Sequence, residues 1–294
     1  MFITRLISGI VLVAIALITI LSGGPVLFFT LLILSLVGMN ELYRAVKVED
    51  KEDGGLSPLA LTGYAGAVLY YILVYWMADV NNISGEINGG AASVLLQEAG
   101  SLMLCLLVLI LIAMMFVYVF TYPRYRSEQV MSAFFGVVYV AVMLSYIFKT
   151  RCLPDGRFIV WLIFLCSWGC DTCAYCVGML FGRHKMSPKL SPKKSVEGAV
   201  GGVAGAALLG AVYAAAVGGF LEGGKGLILE FAVICAVGAL ISMVGDLAAS
   251  AIKRNHGIKD YGKLIPGHGG ILDRFDSVIF TAPVIYFLAV LLVG

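Results

Sequence analysis

The chain has 294 residues, of which 61% are hydrophobic and 13% charged, whereas a soluble domain carries about a quarter of its residues charged. That balance excludes an ordinary soluble enzyme and is the composition of a protein embedded in a bilayer. The formal net charge of +2 says little as a sum and suggests no nucleic-acid partner; what matters is where Lys and Arg fall along the chain.

A helix needs roughly 20 apolar residues to cross a hydrocarbon core of about 30 Å. Nine such runs are predicted, at 2–21, 25–45, 58–77, 101–121, 131–149, 158–180, 197–220, 226–250 and 272–293. They lack the alternation of barrel strands, and in lipid only helices or closed barrels satisfy every backbone group. The expected fold is therefore an all-α polytopic membrane protein. The first run follows Arg5 in the manner of a signal peptide, but Leu21-Ser22-Gly23-Gly24-Pro25 is not a small-residue cleavage site, so the run is expected to be retained. Within the polar loop at 78–98, Asn82-Ile83-Ser84 is a glycosylation sequon only in a eukaryotic lumen.

Sixteen of the twenty Lys and Arg residues lie at the N-terminus or in the even-numbered loops. The odd loops hold only Lys149, Arg151, Arg157 and Lys225. Positive charge stays in the cytoplasm, so the N-terminus is expected there and the C-terminus outside.

The two halves differ in polarity. Residues 1–150 carry spans one to five, which are plain apolar runs, whereas residues 151–294 carry spans six to nine and place Asp171, Asp246, Asp273 and Asp276 in or at the mouth of the membrane. The whole is expected to form one integral membrane unit. Intramembrane carboxylates mark functional sites, and under the expected topology all four lie at the cytoplasmic ends of their spans. They share that level with the basic loops 182–195 and 253–270, the first an extended, irregular segment broken by Pro188 and Pro192.

Helical spacing sharpens the picture. Gly238, Ser242, Asp246, Ser250 and Lys253 recur at three and four residues in span eight, as do Ser167, Asp171, Tyr175 and Gly178 in span six. Such small and polar stripes face protein or water. Cys166, Cys170 and Cys173 also share a face of span six, but no metal-cluster spacing or histidine ligand accompanies them, and they read as small buried residues.

Carboxylates beside Lys and Arg suit magnesium-assisted phosphoryl chemistry, because magnesium is held by one or two carboxylates together with substrate phosphates. Pro266-Gly267-His268-Gly269-Gly270 opens span nine, where glycine-rich backbone can offer N–H groups to an anion. The same stretch also fits a tight re-entry turn.

From residue 250 the chain reads SAIKRNHGIKDYGKLIPGHGGILDRFD, ending at Asp276. This stretch resembles the signature of the phosphatidate cytidylyltransferase (CDP-diacylglycerol synthase) family. Ser191-Pro192-Lys193-Lys194-Ser195-Val196-Glu197-Gly198 and the Asp171-Thr172 pair with Tyr175, Gly178 and Phe181-Gly182 resemble the family too, so the likeness covers about residues 165–280. Cys173 and Cys176 stand where the family usually has a glycine and an aromatic residue.

The resemblance implies joining of CTP to phosphatidic acid, giving CDP-diacylglycerol and pyrophosphate with Mg2+, two ions in all. It implies Asp246 and Asp273 as metal ligands, with Asp276 and Asp171 close by. Lys253 and Arg274 are expected to act at the reacting phosphates, and Lys193, Lys194, Arg254, Lys259 and His268 to bind substrate. It also implies a bacterial inner-membrane enzyme facing the cytoplasm, and a homodimer. A CTP-dependent lipid kinase would use similar groups but transfer the γ-phosphoryl group. A secondary transporter would also bury carboxylates, yet no inverted halves are visible.

Overall fold

The computed structural model describes residues 2–48, 57–84, 90–221, 227–267 and 269–293. Nine long helices run through the described residues. They are α1 (Phe2–Ser22), α2 (Gly24–Ala45), α3 (Pro58–Ser84), α4 (Gly90–Phe120), α5 (Ser127–Arg151), α6 (Gly156–Phe181), α7 (Val196–Val217), α8 (Ile228–Asn255) and α9 (Leu272–Leu292). Helices α2 to α9 are each long and apolar enough to cross a membrane, and α1 contributes the shorter apolar stretch Ser8–Ser22.

Every predicted span thus has its helix. The polar segment 78–98 is more helical than expected, because α3 continues to Ser84 and α4 begins at Gly90. The sequence also predicts a charged loop at 47–53, of which residues 49–53 lie outside the described residues. A further departure is the basic loop 182–195, predicted as irregular. It forms an antiparallel hairpin of β1 (Lys185–Ser187) and β2 (Ser191–Ser195), with Lys185 opposite Ser195. Pro188 lies in the turn, where its missing N–H costs nothing.

The division at residue 150 is one of polarity. In packing, the chain forms two compact units, one of Gly24–Ser145 and one of Met1–Gly23 with Tyr146–Gly294. In the first, Tyr43 is fully buried and donates its hydroxyl to the Ala133 carbonyl at 2.7 Å. Gly63 and Gly136 leave the space its ring occupies. Ser35 and Tyr71 share a buried hydrogen bond of 2.8 Å, which matters because an unpaired hydroxyl at that depth would cost about 1–3 kcal/mol.

The second unit is built on small residues. Gly198, Gly202, Ala206, Gly210 and Ala214 are all buried along one face of α7, and this four-residue spacing lets neighbouring backbones approach closely. A Cβ at Gly202 would lie 2.9 Å from Cys170 Sγ of α6, and one at Gly210 would lie 2.8 Å from Cys235 Sγ of α8. Gly238 of α8 likewise receives Cys166 Sγ, 2.7 Å from where its Cβ would be. Cys166, Cys170 and Cys173 of span six therefore sit against glycines, the last against Gly205, as close-packing groups, whereas Cys176 is exposed.

Candidate functional site

Each carboxylate is presented by a different local device. In α6 the residues Leu165–Gly169 form a wider, π-helical turn immediately before Asp171, and such turns shift the phase of the residues that follow. Ser167, on that turn, pairs with Ser277 of α9 at 2.7 Å, which ties the Asp171 segment to the helix bearing Asp276. Asp246 projects from α8 one turn beyond the fully buried Ser242. Asp273 and Asp276 occupy the first turns of α9 and are almost entirely buried, and Asp276 Oδ1 accepts the Ser277 N–H at 2.8 Å.

The cations arrive from two directions. The hairpin carries Lys193 and Lys194 inward, and Lys194 forms an ion pair with Asp246. Its base is fixed where α7 begins. Ser195 accepts the Gly198 N–H as an N-cap at 3.1 Å, and the Glu197 carboxylate receives the Arg183 N–H at 3.0 Å and bonds His184 Nδ1 at 2.6 Å. From the end of α8, Lys253 donates to Asp273 Oδ1 at 2.8 Å.

The other Asp273 oxygen accepts two backbone N–H groups, from Tyr261 at 2.8 Å and Gly270 at 3.0 Å. Asp273 therefore ties the connection between α8 and α9 down at two points, Tyr261 and Gly270. Tyr261 adds two further holds: its hydroxyl donates to the Ala249 carbonyl at 3.2 Å, and its ring lies 5.3 Å from Lys253 Nζ. The Gly270 N–H, expected to be available to an anion, is instead bonded to Asp273. Gly269 has φ +90°, and a Cβ there would lie 3.0 Å from Asp273 Oδ2, so this close approach requires glycine. The turn through Pro266 and Gly267 closes with Ile265 donating to the Gly269 carbonyl at 2.9 Å.

These groups converge on one cavity of about 540 Å³. It is lined by Asp171, Asp246, Asp273 and Asp276 together with Lys193, Lys194 and Arg274. A second cavity, of about 630 Å³, is bordered by Lys259, Asp260, Lys263 and again Arg274. The Arg274 Nε is buried without a hydrogen-bond partner among the described residues. Arg254 is not brought to either cavity; it is exposed and donates to the Ile258 carbonyl at 3.2 Å. His268 lies outside the described residues.

Residues 3–292 match the Cytidylyltransferase family. The match runs nearly end to end. A phosphatidate cytidylyltransferase of Staphylococcus epidermidis is 30% identical over 286 residues, covering 97% of this chain and 98% of the relative. The chain belongs to the Cytidylyltransferase family. Two other similar proteins are the phosphatidate cytidylyltransferases of Thermotoga maritima, 34% identical over 54% of this chain and 58% of the relative, and of Synechocystis, 38% identical over 47% of this chain and 45% of the relative.

Several contributors to this cytidylyltransferase site were not among the residues predicted from sequence. Tyr261 lies between signature positions without being one, and nothing in its spacing announces three separate contacts. Lys263 is not among the predicted substrate-binding residues, yet it borders the second cavity. His184 and Glu197 fix the hairpin, which no helical periodicity could indicate.

The donor set suits a hard divalent cation, being carboxylate oxygen throughout. Among the described residues no three side chains of His, Cys, Asp or Glu converge closely enough to hold a metal by themselves. Magnesium does not need such a cage, since it retains water and takes substrate phosphate oxygens. Asp246, which lines the cavity, fits that manner of binding once the Lys194 ammonium is displaced, whereas both oxygens of Asp273 are already engaged, one by Lys253 and the other by the Tyr261 and Gly270 N–H groups.

Proposed function

We propose that the chain is a phosphatidate cytidylyltransferase, which joins CTP and phosphatidic acid to form CDP-diacylglycerol and pyrophosphate. The observation that carries this reading is the single cavity into which four carboxylates and three cationic side chains project, in a chain similar end to end to an enzyme of that name. An oxygen of the lipid phosphate attacks the α-phosphorus of CTP, a new P–O bond forms, and the bond from the α-phosphorus to the bridging oxygen breaks. Pyrophosphate leaves with that oxygen, so atoms and charge balance without a proton transfer.

Two polyanions approach each other in this reaction, and fixed positive charge must offset their repulsion. Lys193 and Lys194 supply it from the hairpin, Arg274 from α9, and Lys259 with Lys263 from the second cavity. Lys253 acts through Asp273, holding the 256–271 segment in place. Magnesium, if bound, would be held by Asp246 and Asp273 and would supply further positive charge at the phosphate oxygens.

The positive-inside distribution supports a cytoplasmic site in a bacterial inner membrane, where CTP arrives from water while the diacylglycerol tails remain in lipid. A homodimer rests on the family resemblance alone.

The test uses purified protein in detergent with CTP labelled on either the α- or the γ-phosphate. Label from the α-position is expected in the lipid and γ-label in pyrophosphate. The reverse pattern would be that of a lipid kinase, and no lipid label from either position would leave only transport or binding. EDTA is expected to stop the reaction.

A further inference from the structure

The charged side chains that border the second cavity, of about 630 Å³, are cationic with one exception. Lys259, Lys263 and Arg274 suit a polyphosphate, yet the carboxylate of Asp260 stands among them. Among the described residues Asp260 forms no ion pair or hydrogen bond with any of the three. A carboxylate that pairs with none of these cations only weakens the hold on phosphate, which points to a role toward another part of the ligand. We infer that Asp260 reads the base of the nucleotide, accepting from the N4 amino group of cytosine, and so selects CTP over UTP. The inference rests on the proposed reaction and adds the residue that chooses its nucleotide.

Three observations support this role. The first is chemical complementarity. Cytosine presents an amino donor at N4 beside acceptors at N3 and O2, and a carboxylate is the side chain that accepts from that amino group. An ammonium group from one of the flanking lysines, Lys259 or Lys263, is a donor for N3 or O2. Uracil instead carries a carbonyl oxygen at position 4 and an N–H at N3, so it would set acceptor against carboxylate and donor against ammonium. The second is size and continuity. Cavities of about 300–1,000 Å³ enclose a whole drug-sized ligand, and Arg274 lines both this cavity and that of the four carboxylates. A nucleotide with its α-phosphate at Arg274 therefore has room to extend toward Asp260.

The third is how Asp260 is held. Its neighbour Tyr261 is fixed at both ends, the N–H donating to Asp273 Oδ2 at 2.8 Å and the hydroxyl to the Ala249 carbonyl at 3.2 Å. A Cβ at Gly269 would lie 3.5 Å from Asp260 Cβ, so Asp260 also rests against the turn that Ile265 closes. Selection needs a fixed acceptor, because a carboxylate free to shift would take the uracil N3–H instead. Exposure limits the size of the effect. A buried site rejects a mismatched analogue by about ten-thousandfold or more. Asp260 is exposed, so water solvates the mismatched groups and the expected preference is about ten- to a hundredfold.

Equilibrium binding to purified protein in detergent, with magnesium and without phosphatidate, tests this with three nucleotides. They are CTP, UTP and a CTP analogue whose 4-amino group is replaced by hydrogen. Wild-type protein is expected to bind CTP at least about tenfold more tightly than either of the others. Asp260→Asn and Asp260→Ala both remove a negative charge and strengthen phosphate binding alike for every nucleotide, so ratios of affinity are the readout. In Asp260→Asn the preference for CTP over UTP is expected to fall below about threefold, because an amide offers either an acceptor or a donor. In Asp260→Ala the preference for CTP over the analogue should fall below about threefold, since the amino group has lost its acceptor. A preference for CTP that survives in both variants would overturn the inference. Equal affinity of wild-type protein for all three nucleotides would overturn it too, even if neither variant folds. Wild-type protein that selects CTP through Asp260 yet forms no CDP-diacylglycerol would overturn the reaction and keep the base subsite.

Discussion

The Lys253–Asp273 pair is the interaction on which the loop of the site depends, and a double-mutant cycle measures it. Side-chain exposure is 11% for Lys253 and 2% for Asp273. Removing one member of a buried pair leaves the other charge uncompensated, at a cost of about 3–5 kcal/mol. Lys253→Met is expected near the lower end, because the Tyr261 and Gly270 N–H groups still bond Asp273. Asp273→Asn is expected near the upper end. It strands the Lys253 ammonium, and an amide that accepts from the two backbone donors turns its own NH2 toward that cation. The double variant buries neither charge, so it should cost no more than the worse single change. The resulting coupling is about 3 kcal/mol, or roughly a hundredfold in the folding equilibrium. The assay is reversible unfolding in mixed micelles with EDTA present, so that metal affinity does not enter. A coupling below about 0.5 kcal/mol would refute the Lys253–Asp273 pair as a source of stability.

Asp246→Asn keeps the volume of a side chain whose ion-pair partner is Lys194 but removes its charge, and turnover is expected to fall at least about a hundredfold in folded protein; near-normal turnover would exclude it as a metal ligand. Replacing Cys166, Cys170, Cys173 and Cys176 together by Ala or Ser should leave at least about a tenth of the activity, since the first three pack against Gly238, Gly202 and Gly205 and Cys176 is exposed; loss of a bound zinc or iron from that variant would contradict the packing role. For topology, a cysteine in place of the exposed Pro154 between α5 and α6 should react with an impermeant maleimide from outside intact cells. A cysteine in place of the exposed Lys189 in the hairpin should not, and the opposite pattern would separate the cavity from cytoplasmic CTP.

Hydropathy alone is enough to locate the nine helices, since lipid offers a backbone no hydrogen-bonding alternative and a sufficiently long apolar run has few other structures open to it. Depth follows from the same reasoning, which is why Asp171, Asp246, Asp273 and Asp276 could be placed at one level before any packing was known. The close-packed face of α7 was missed, although the four-residue spacing of Gly198, Gly202, Ala206, Gly210 and Ala214 stands in the sequence, because no charge marks it. What the sequence could not contain is which donor meets which acceptor. The 256–271 segment has no periodicity, and its path depends on three hydrogen bonds to Asp273 from residues twenty, twelve and three positions away. The same holds for the hairpin, where Lys194 rather than Lys193 reaches Asp246. A cavity of about 220 Å³ is lined by Gly9 and Leu12 of α1 together with Asp273 and Arg274, residues separated by most of the chain. Neighbours so distant in sequence come together only when helices pack, because side-chain chemistry determines what each surface can bind and tertiary structure determines which surfaces meet.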